Sequence, residues 1–338
     1  MKKYENFNLV NHNTFGINAK CKLFFEFSNE EELKQTLNEL RGTPCPILIL
    51  GEGSNLLLTS DFNGIVLHSD ITGINAKETE QGVLVRAGSG VIWDELVEHC
   101  INKGWHGMEN LSYIPGTVGA SAVQNIGAYG CEAKDIIYSI EAIELETGNK
   151  FTIYNNECDY SYRHSKFKTE WRNKFIITYV TYKLTTDFSP NIDYGNIKNE
   201  LERRGYGDNP NAKQLREVII DIRKSKLPEP KEQGNAGSFF MNPIIKRPNY
   251  ESLAKTYPEM PHYTIDSDNE KIPAGWLIEQ CGWKGKALGP AGVHDRQALV
   301  LINKGGATGQ DILKLCDTIR NDVKTKFGIE IHPEVNII

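Results

Sequence analysis

The chain has 338 residues, more than a single hydrophobic core usually supports, so we expect two or three domains. Hydrophobic residues make up 39% of the chain and charged residues 24%, the usual balance of a soluble globular protein. The net charge of -6 argues against a nucleic-acid backbone or an anionic membrane as partner, and no run approaches the roughly 18 apolar residues of a membrane span.

The seven cysteines form no Cys-x-x-Cys pair and no disulfide framework, so we expect reduced thiols and no metal site. The first residues lead into no apolar run, so we expect no secretory signal and a cytoplasmic protein.

The first third of the chain alternates short strands and helices. Residues 23–27 are strand-like, and residues 28–40 have leucines at helical spacing after a Ser-x-x-Glu sequence that predicts a capping box at Ser28. The apolar run 46–50 predicts a buried strand that ends in a glycine turn. Two further strands are predicted at 65–68 and 83–87.

The middle of the chain begins with a predicted helix over 93–101, with its apolar residues on one stripe and Gly104 ending it. Strands are predicted at 137–145 and 175–184. A helix over 211–226 stops at a Pro-Glu-Pro sequence, which we interpret as the linker to a last domain.

The last domain is predicted to hold a helix over 274–281, a strand over 298–302 and an amphipathic helix over 308–327. The final ten residues alternate, as in a strand. One face carries the apolar residues Ile329, Ile331, Val335 and Ile337. The polar face carries Glu330, His332, Glu334 and Asn336. The predicted class is α+β.

The glycine turn, residues 51–55 (Gly-Glu-Gly-Ser-Asn), follows a buried strand and could cradle a phosphate with backbone N–H groups. It is not a dinucleotide-binding fingerprint, because Leu56 stands where the third glycine should be. It also lacks the Gly-Lys-Ser/Thr of a Walker loop. A plain tight turn is the alternative.

A second loop consists mostly of small residues. Eight of the fifteen residues from Gly116 to Gly130 are Gly, Ala or Ser. Small side chains bury little area, but they let a ligand approach the backbone closely. Gln124 and Asn125 add amide groups that could face a heteroaromatic edge. Together the two glycine-rich loops indicate a dinucleotide such as FAD, with a surface loop as the alternative.

Three polar residues stand out elsewhere. Arg163 lies where aromatic and basic residues alternate; it could bind a carboxylate or phosphate, or lie on a solvated strand edge. Ser238 lies between a glycine and two phenylalanines, outside any Gly-x-Ser-x-Gly elbow, and could donate a proton or cap a turn. Glu334 could equally be a plain surface carboxylate.

These elements, in this order, resemble the UDP-N-acetylenolpyruvoylglucosamine reductases, also called UDP-N-acetylmuramate dehydrogenases. The resemblance runs from Asn-Thr-Phe-Gly at residues 13–16 to Pro-Glu-Val at 333–335. It is most specific in residues 115–130, 234–243 and 294–303. Tyr194, in a Tyr-Gly pair, looks like the tyrosine loop of the type I branch.

The resemblance implies a vanillyl-alcohol-oxidase-type (PCMH-type) FAD-binding domain over about 17–187, followed by a C-terminal α+β substrate-binding domain. The implied boundaries are 1–70 for the first FAD subdomain, 71–222 for the second, 223–327 for the substrate domain and 328–338 for a strand returning to the flavin.

The resemblance also implies the roles of individual residues. Arg163, Ser238 and Glu334 match the family's catalytic residues, and Tyr194, Lys226 and Asn242 match its contacts to the substrate diphosphate. The implied contacts to FAD are Gly51, Gly53, Ser54, Asn55, Pro115, Gly116, Thr117, Gly119, Ala120, Ser121, Gln124, Asn125, Gly127, Ala128 and Tyr129. One departure is Met241, where the family often has a lysine, and this puts one charge near the diphosphate in doubt.

The implied activity is reduction of the enolpyruvyl ether of a UDP-sugar by NADPH through non-covalently bound FAD, in peptidoglycan precursor synthesis. We expect a monomer. Two alternatives remain open: an FAD oxidase of the same fold, with His106 as the nearest residue for a covalent flavin tether, and a sugar-nucleotide sensor without redox activity. Retention of Arg163, Ser238 and Glu334 together argues against the sensor.

Overall fold

The computed structural model describes all 338 residues, and the chain separates into two compact units. The first unit comprises residues 1–7, 21–52 and 63–223. The second comprises residues 8–20, 53–62 and 224–338. Segments 8–20 and 53–62, which the sequence analysis assigned to the first FAD subdomain, therefore belong to the same unit as the C-terminal part of the chain.

Eight α-helices form, most of them where apolar residues recur at helical spacing. They are α1 Glu30–Leu40, α2 Trp93–Asn102, α3 Val118–Gln124, α4 Ile197–Arg203, α5 Ala212–Lys226, α6 Arg247–Thr256, α7 Ala274–Gln280 and α8 Gly309–Phe327. None of them combines the length and the apolar character that crossing a bilayer requires.

Twenty short strands alternate with these helices. In the first half of the chain they are β1 Lys2–Asn8, β2 Lys20–Phe27, β3 Ile47–Leu50, β4 Leu56–Leu57, β5 Phe62–Ser69, β6 Ile74–Thr79, β7 Gly82–Gly88, β8 Gly127–Ala128, β9 Cys131–Glu132, β10 Ile137–Glu144 and β11 Lys150–Tyr154. The later ones are β12 Phe175–Leu184, β13 Asn235–Ser238, β14 Ile244–Lys246, β15 Tyr263–Thr264, β16 Asn269–Lys271, β17 Ala287–Leu288, β18 Ala291–Val293, β19 Val300–Asn303 and β20 Asn336–Ile337.

The first unit is built on two sheets. One has the order β1-β2-β5-β3, with β3 and β5 parallel, and the other has the order β11-β10-β12-β7-β6, all antiparallel. Helix α1 packs Leu33 and Leu37 into a core with Phe25 and Phe27 of β2. Helix α2 buries Trp93 against the second sheet, where its ring meets that of Tyr182 edge to face.

The second unit carries a four-stranded sheet, β13-β19-β18-β17, and a three-stranded sheet, β14-β16-β15. Helix α8 buries an apolar stripe that includes Ile312, Leu315 and Ile319. Its ends follow from local chemistry: the Thr308 hydroxyl accepts from the Asp311 N–H at its start, and Gly328 adopts a left-handed conformation at its end. The last strand, β20, pairs in parallel with β4.

Several predicted elements are confirmed within a residue or two, including α2, α5, α7, α8, β10 and β12. The predicted capping box at Ser28 is wrong by one position. Asn29 caps α1 by accepting the N–H of Glu32, and the Glu32 carboxylate accepts the N–H of Ser28. The alternation at the C-terminus is also incomplete, because only Asn336–Ile337 forms a strand and Ile337 is exposed.

A row of charged and aromatic side chains crosses the five-stranded sheet. The Glu141 carboxylate of β10 accepts from the Arg86 guanidinium of β7 (Nη2 at 2.8 Å) and from Lys150 Nζ of β11 at 2.6 Å. The Arg86 guanidinium lies 3.3 Å from the centre of the Tyr179 ring. Tyr179 belongs to β12, the strand between β7 and β10. The hydrogen bond from Arg86, with Lys150 assisting, lowers the pKa of Glu141 to about 2.

This row gives the first unit a pH-dependent stability. A carboxyl whose pKa is lower in the folded state stabilises that state above its ordinary pKa and loses the effect as pH falls toward the folded value. We therefore expect Glu141→Gln to lower the free energy of unfolding by about 1–3 kcal/mol at pH 7. Urea denaturation measured between pH 7 and pH 3 should show this difference shrinking below about pH 5.

The matched control is Glu146→Gln, which makes the same chemical change at an exposed carboxyl in the turn after β10. It should leave the unfolding free energy unchanged at every pH. A deficit in Glu141→Gln that stays constant with pH would contradict the assigned role of its charge.

Candidate active site

The two predicted glycine-rich loops meet inside the first unit. A Cβ atom added at Gly51 would lie 2.9 Å from Thr117 Oγ1, so this approach requires a glycine. Next to it, the Glu52 carboxylate accepts the backbone N–H of Gly116 at 2.9 Å. Contacts across 64 residues of sequence thus place the start of the glycine turn against the start of the small-residue loop.

The rest of the glycine turn belongs to the second unit. Gly53 has φ +67°, and a Cβ there would lie 2.2 Å from the carbonyl oxygen of His12, so no other residue fits. The Asn55 backbone oxygen accepts the N–H of Asn336, and its side-chain amide reaches the Glu334 carbonyl oxygen at 3.5 Å. The turn therefore lies beside the C-terminal strand of the chain.

The small-residue loop contains a short helix that the sequence analysis did not predict. Thr117 caps α3 by accepting the N–H of Ala120, and Gly119 lies so close to Ser89 that an added Cβ would be 2.9 Å from the Ser89 Cβ. Ser121 is buried and bonds the Tyr182 hydroxyl at 3.0 Å. Glycine, alanine and serine thus let α3 pack flat on the five-stranded sheet.

The side chain of Asn125 forms hydrogen bonds within the protein. Asn125 is fully buried and ends α3 in a left-handed conformation. Its amide nitrogen donates to Glu132 Oε2 and to the Ser161 carbonyl oxygen, both at 2.9 Å, and its oxygen accepts from the N–H of Lys134. This amide therefore fixes the loop's shape; Gln124 is half-buried.

Arg163 is seated on the small-residue loop. It lies in a tight turn with φ +55°, where Ser161 and His164 pair with each other. Its Nη2 donates to the Gly127 carbonyl oxygen at 2.9 Å, and its Nη1 lies 3.4 Å from the Asn125 carbonyl oxygen. Any side chain at Gly127 would crowd the guanidinium, because its Cβ would be 3.2 Å from Nη1.

Arg223 is a second cation in the same region, and the sequence analysis missed it. Its Nε donates to the Tyr113 carbonyl oxygen at 2.9 Å. Burial lowers the pKa of Arg223, and the charge of Arg163 lowers it further, although the group remains a cation. The signal in the sequence was an arginine next to the buried Ile222 near the end of an amphipathic helix.

The catalytic candidates of the second unit come together through backbone pairing. Residues 238–241 run antiparallel to residues 332–334: the Glu334 N–H donates to the Phe239 carbonyl oxygen at 2.8 Å, and Phe240 bridges Pro333. Ser238 is exposed after Gly237, whose φ is +67°, and Glu334 is half-buried. Phe239 is fully buried and packs edge to face against Phe15.

The predicted substrate contacts are divided between the units. Tyr194, half-exposed, lies in the first unit with its ring edge to face against Tyr129, 6.5 Å between centres. Lys226 is exposed at the end of α5, and the Asn242 side-chain oxygen accepts the first N–H of α7 at 2.9 Å, both in the second unit. Met241 uses its backbone N–H to pair with His332.

The residues of the first unit fit a flavin dinucleotide. The loop exposes small uncharged side chains, with Ala120, Gly127 and Ala128 half-buried, so a flat ring system can approach the backbone. The nearby cations Arg163 and Arg223 repel each other, and the adjacent Asp94 carboxylate is already paired bidentately with Arg216. An anionic ligand is what such a cationic pair favours.

His106, the residue considered for a covalent flavin tether, is engaged elsewhere. Its Nδ1 bonds the buried Glu109 carboxylate at 2.8 Å, and its ring packs against Phe188, 5.0 Å between centres. The nearest residue for a covalent tether is therefore already engaged within the protein, which argues against the covalent oxidase alternative.

Two family models match the chain. Residues 21–153 match the model described as "FAD binding domain". Residues 229–338 match "UDP-N-acetylenolpyruvoylglucosamine reductase, C-terminal domain".

Curated proteins with the same name are similar over the full length. The UDP-N-acetylenolpyruvoylglucosamine reductase of Bacteroides fragilis is 51% identical over 335 residues, 99% of each chain. That of Flavobacterium johnsoniae is 47% identical over 340 residues, 100% of each chain. The crystal structure of the UDP-N-acetylenolpyruvylglucosamine reductase of Thermus caldophilus, 22% identical, shares the fold with a TM-score of 0.68 over 99% of this chain and 98% of that one.

Full-length identity near one half, matches to two family models, and two cations beside an uncharged small-residue loop suited to a flavin lead to one conclusion. The chain belongs to the UDP-N-acetylenolpyruvoylglucosamine reductase family of FAD-containing oxidoreductases.

Proposed function

We propose that this protein reduces UDP-N-acetylglucosamine enolpyruvate to UDP-N-acetylmuramate with NADPH, through non-covalently bound FAD, in the synthesis of peptidoglycan precursors. The observation that carries the proposal is the antiparallel pairing of residues 238–241 with 332–334. It makes the segment that carries Ser238 a backbone neighbour of the segment that carries Glu334. We further propose that the protein acts as a cytoplasmic monomer.

The residues proposed to hold FAD fall in two groups. In the first unit, Gly51 and the loop from Pro115 to Tyr129 supply backbone and small side chains for the flavin and its diphosphate. Within that loop, Ser121 and Asn125 act indirectly, because their side chains bond to the protein itself. In the second unit, Gly53, Ser54 and Asn55 are assigned the same ligand. The chemistry supplied by bound FAD is the transfer of a hydride from NADPH to C3 of the enolpyruvyl group.

The protein side chains manage the charge and the proton. As C3 gains a hydride, negative charge builds on C2 and the neighbouring carboxylate, and we assign Arg163 to stabilise it. Carbonyl oxygens of the small-residue loop hold the guanidinium in advance, so it needs no reorganisation during the reaction. Ser238 then gives its hydroxyl proton to C2, which completes the addition of a hydride and a proton across the double bond. A neighbouring donor or water returns a proton to the serine oxygen.

Glu334 is assigned to orient the substrate carboxylate. Two bare carboxylates in contact would repel each other, so Glu334 acts in its protonated form or through a shared proton. Its backbone is fixed by the N–H bond to Phe239, which keeps the side chain in the same strand pairing as Ser238. We assign the contacts to the substrate diphosphate to Lys226, Asn242 and Tyr194. Met241, at a position where the family often has a lysine, adds no positive charge there.

The proposed reaction has a fixed stoichiometry of NADPH to UDP-sugar. With NADPH and UDP-N-acetylglucosamine enolpyruvate in solution, the holoenzyme should consume one NADPH for each UDP-sugar converted. Mass spectrometry should find a product heavier by two hydrogen atoms. Oxidation of NADPH with the UDP-sugar unchanged and oxygen consumed would contradict the proposal and favour an oxidase.

Ser238→Ala separates the proton donor from the rest of the site. We expect turnover to fall on the order of 10²–10⁴-fold, the usual size of a general-acid effect. Reduction of the bound flavin by NADPH, followed anaerobically by absorbance, should be unaffected, because that step needs no proton on C2. Equal loss in both half-reactions would assign Ser238 a structural role.

Lys226→Ala provides the contrast, since it should raise KM for the UDP-sugar and change kcat little through lost phosphate binding. Lys213→Ala, an exposed lysine at the start of the same helix, is its control and should leave both constants unchanged. If KM in Lys226→Ala matches that of the control, Lys226 does not contact the substrate.

A further inference from the structure

One buried amide in the first unit joins two loops of the candidate site. Asn110 lies in the single turn Glu109–Leu111 and is 4% exposed. Its Nδ2 donates to the carbonyl oxygens of Tyr129 and Asn191, each at 2.9 Å. Because both neighbours are carbonyl oxygens, only the NH2 end of the amide can face them.

The two carbonyl oxygens belong to different parts of the site. Tyr129 ends the small-residue loop. Asn191 lies in residues 185–196, between β12 and α4, which we name the tyrosine loop because it carries Tyr194.

The turn that presents Asn110 is fixed by its own contacts. The buried Glu109 carboxylate accepts from His106 Nδ1 and from the Gly107 N–H, each at 2.8 Å. Trp93 Nε1 donates to the Leu111 carbonyl oxygen at 2.8 Å, and the Ser112 hydroxyl donates to the Glu109 backbone carbonyl oxygen at 2.6 Å. These hydrogen bonds fix the turn, and with it Asn110, relative to helix α2.

The tyrosine loop has further anchors beside Tyr194. Ile192 is buried in the cluster formed with α4 and α5, and the Asn191 amide lies 3.3 Å from Cys131 Sγ. A Cβ at Gly130 would lie 3.5 Å from Tyr194 Cδ2, so the ring rests on a bare glycine. Half of the Tyr194 side chain remains exposed, open to a ligand.

We propose that Asn110 is a positioning residue that sets the Tyr194 ring for binding of the UDP-sugar. The inference rests on the proposed function, in which Tyr194 contacts the substrate diphosphate. Without the two N–H donors of Asn110, the carbonyl oxygens of Tyr129 and Asn191 would lose the hydrogen bonds that tie the two loops together. The loop would keep its anchor at Ile192, while the segment carrying Tyr194 would move away from Tyr129.

The direct test is Asn110→Asp, which keeps the shape of the side chain and replaces both donors with acceptors. In the holoenzyme we expect KM for the UDP-sugar to rise on the order of tenfold, with a smaller change in kcat. Flavin reduction by NADPH should be unchanged. Hydrogen exchange, read by mass spectrometry, should be faster in peptides covering residues 185–196.

The matched control is Asn155→Asp. Asn155 Nδ2 also bridges two carbonyl oxygens, those of Lys134 at 2.7 Å and Ile137 at 2.9 Å, but it contacts neither loop. The same chemical change there should leave KM and exchange in the tyrosine loop unchanged. An equal rise of KM in both variants would overturn the inference, because it would reflect general loosening of the unit.

A double-mutant cycle with Tyr194→Ala separates positioning from a purely structural role. If Asn110 acts through Tyr194, Asn110→Asp adds nothing to KM once the ring is gone. If the double variant instead raises KM by the product of the two separate increases, the inference is overturned. If Tyr194→Ala leaves KM unchanged while UDP-N-acetylmuramate still forms, the inference fails and the reductase function stands; absence of product from the wild type contradicts the function itself.

Should Asn110→Asp fail to retain flavin, Asn110→Ser keeps one hydroxyl donor and serves in its place. It should raise KM less than the aspartate while still speeding exchange in the tyrosine loop. Faster exchange with an unchanged KM would overturn the inference.

Discussion

The backbone hydrogen bond from the Glu334 N–H to the Phe239 carbonyl oxygen is the constraint on which the second unit's chemistry depends. It joins residues 95 positions apart and makes the end of the chain a neighbour of the serine segment. The buried Phe239 and Phe240 hold that pairing in the core, and Asn55 receives the strand that follows it. Backbone pairing therefore holds together the two segments that carry the proposed proton donor and carboxylate.

In the first unit, a cation is held beside a surface of small residues. Arg163 donates a hydrogen bond to the Gly127 carbonyl oxygen, and Arg223 lies nearby. The charge of Asp94 is already paired with Arg216. Carbonyl oxygens orient a guanidinium without neutralising it, so its charge remains available to an anionic ligand. The packing that makes this possible requires glycines at 51, 119 and 127.

Much of this could be predicted from the sequence, because hydrophobic spacing and capping residues are local signals. Helix α8 follows from its apolar stripe and from Thr308 and Gly328. What escaped prediction depends on distant contacts: α3 forms from residues chosen for close packing on the sheet, and Gly53 joins the second unit because it packs on His12. The hydrogen bonds of Asn125 could not be predicted either, because an amide in a sequence does not reveal whether a neighbouring carboxylate or a ligand will use it.

The central claim is that the protein, with FAD bound, reduces the UDP-sugar at the expense of NADPH. The most direct measurement is an anaerobic stopped-flow trace of the holoenzyme near 450 nm, the flavin absorption region. NADPH is added first and UDP-N-acetylglucosamine enolpyruvate second. The account predicts bleaching on the first addition and rapid recovery of absorbance on the second. Bleaching that only oxygen reverses, or a protein with no flavin absorbance, would contradict it.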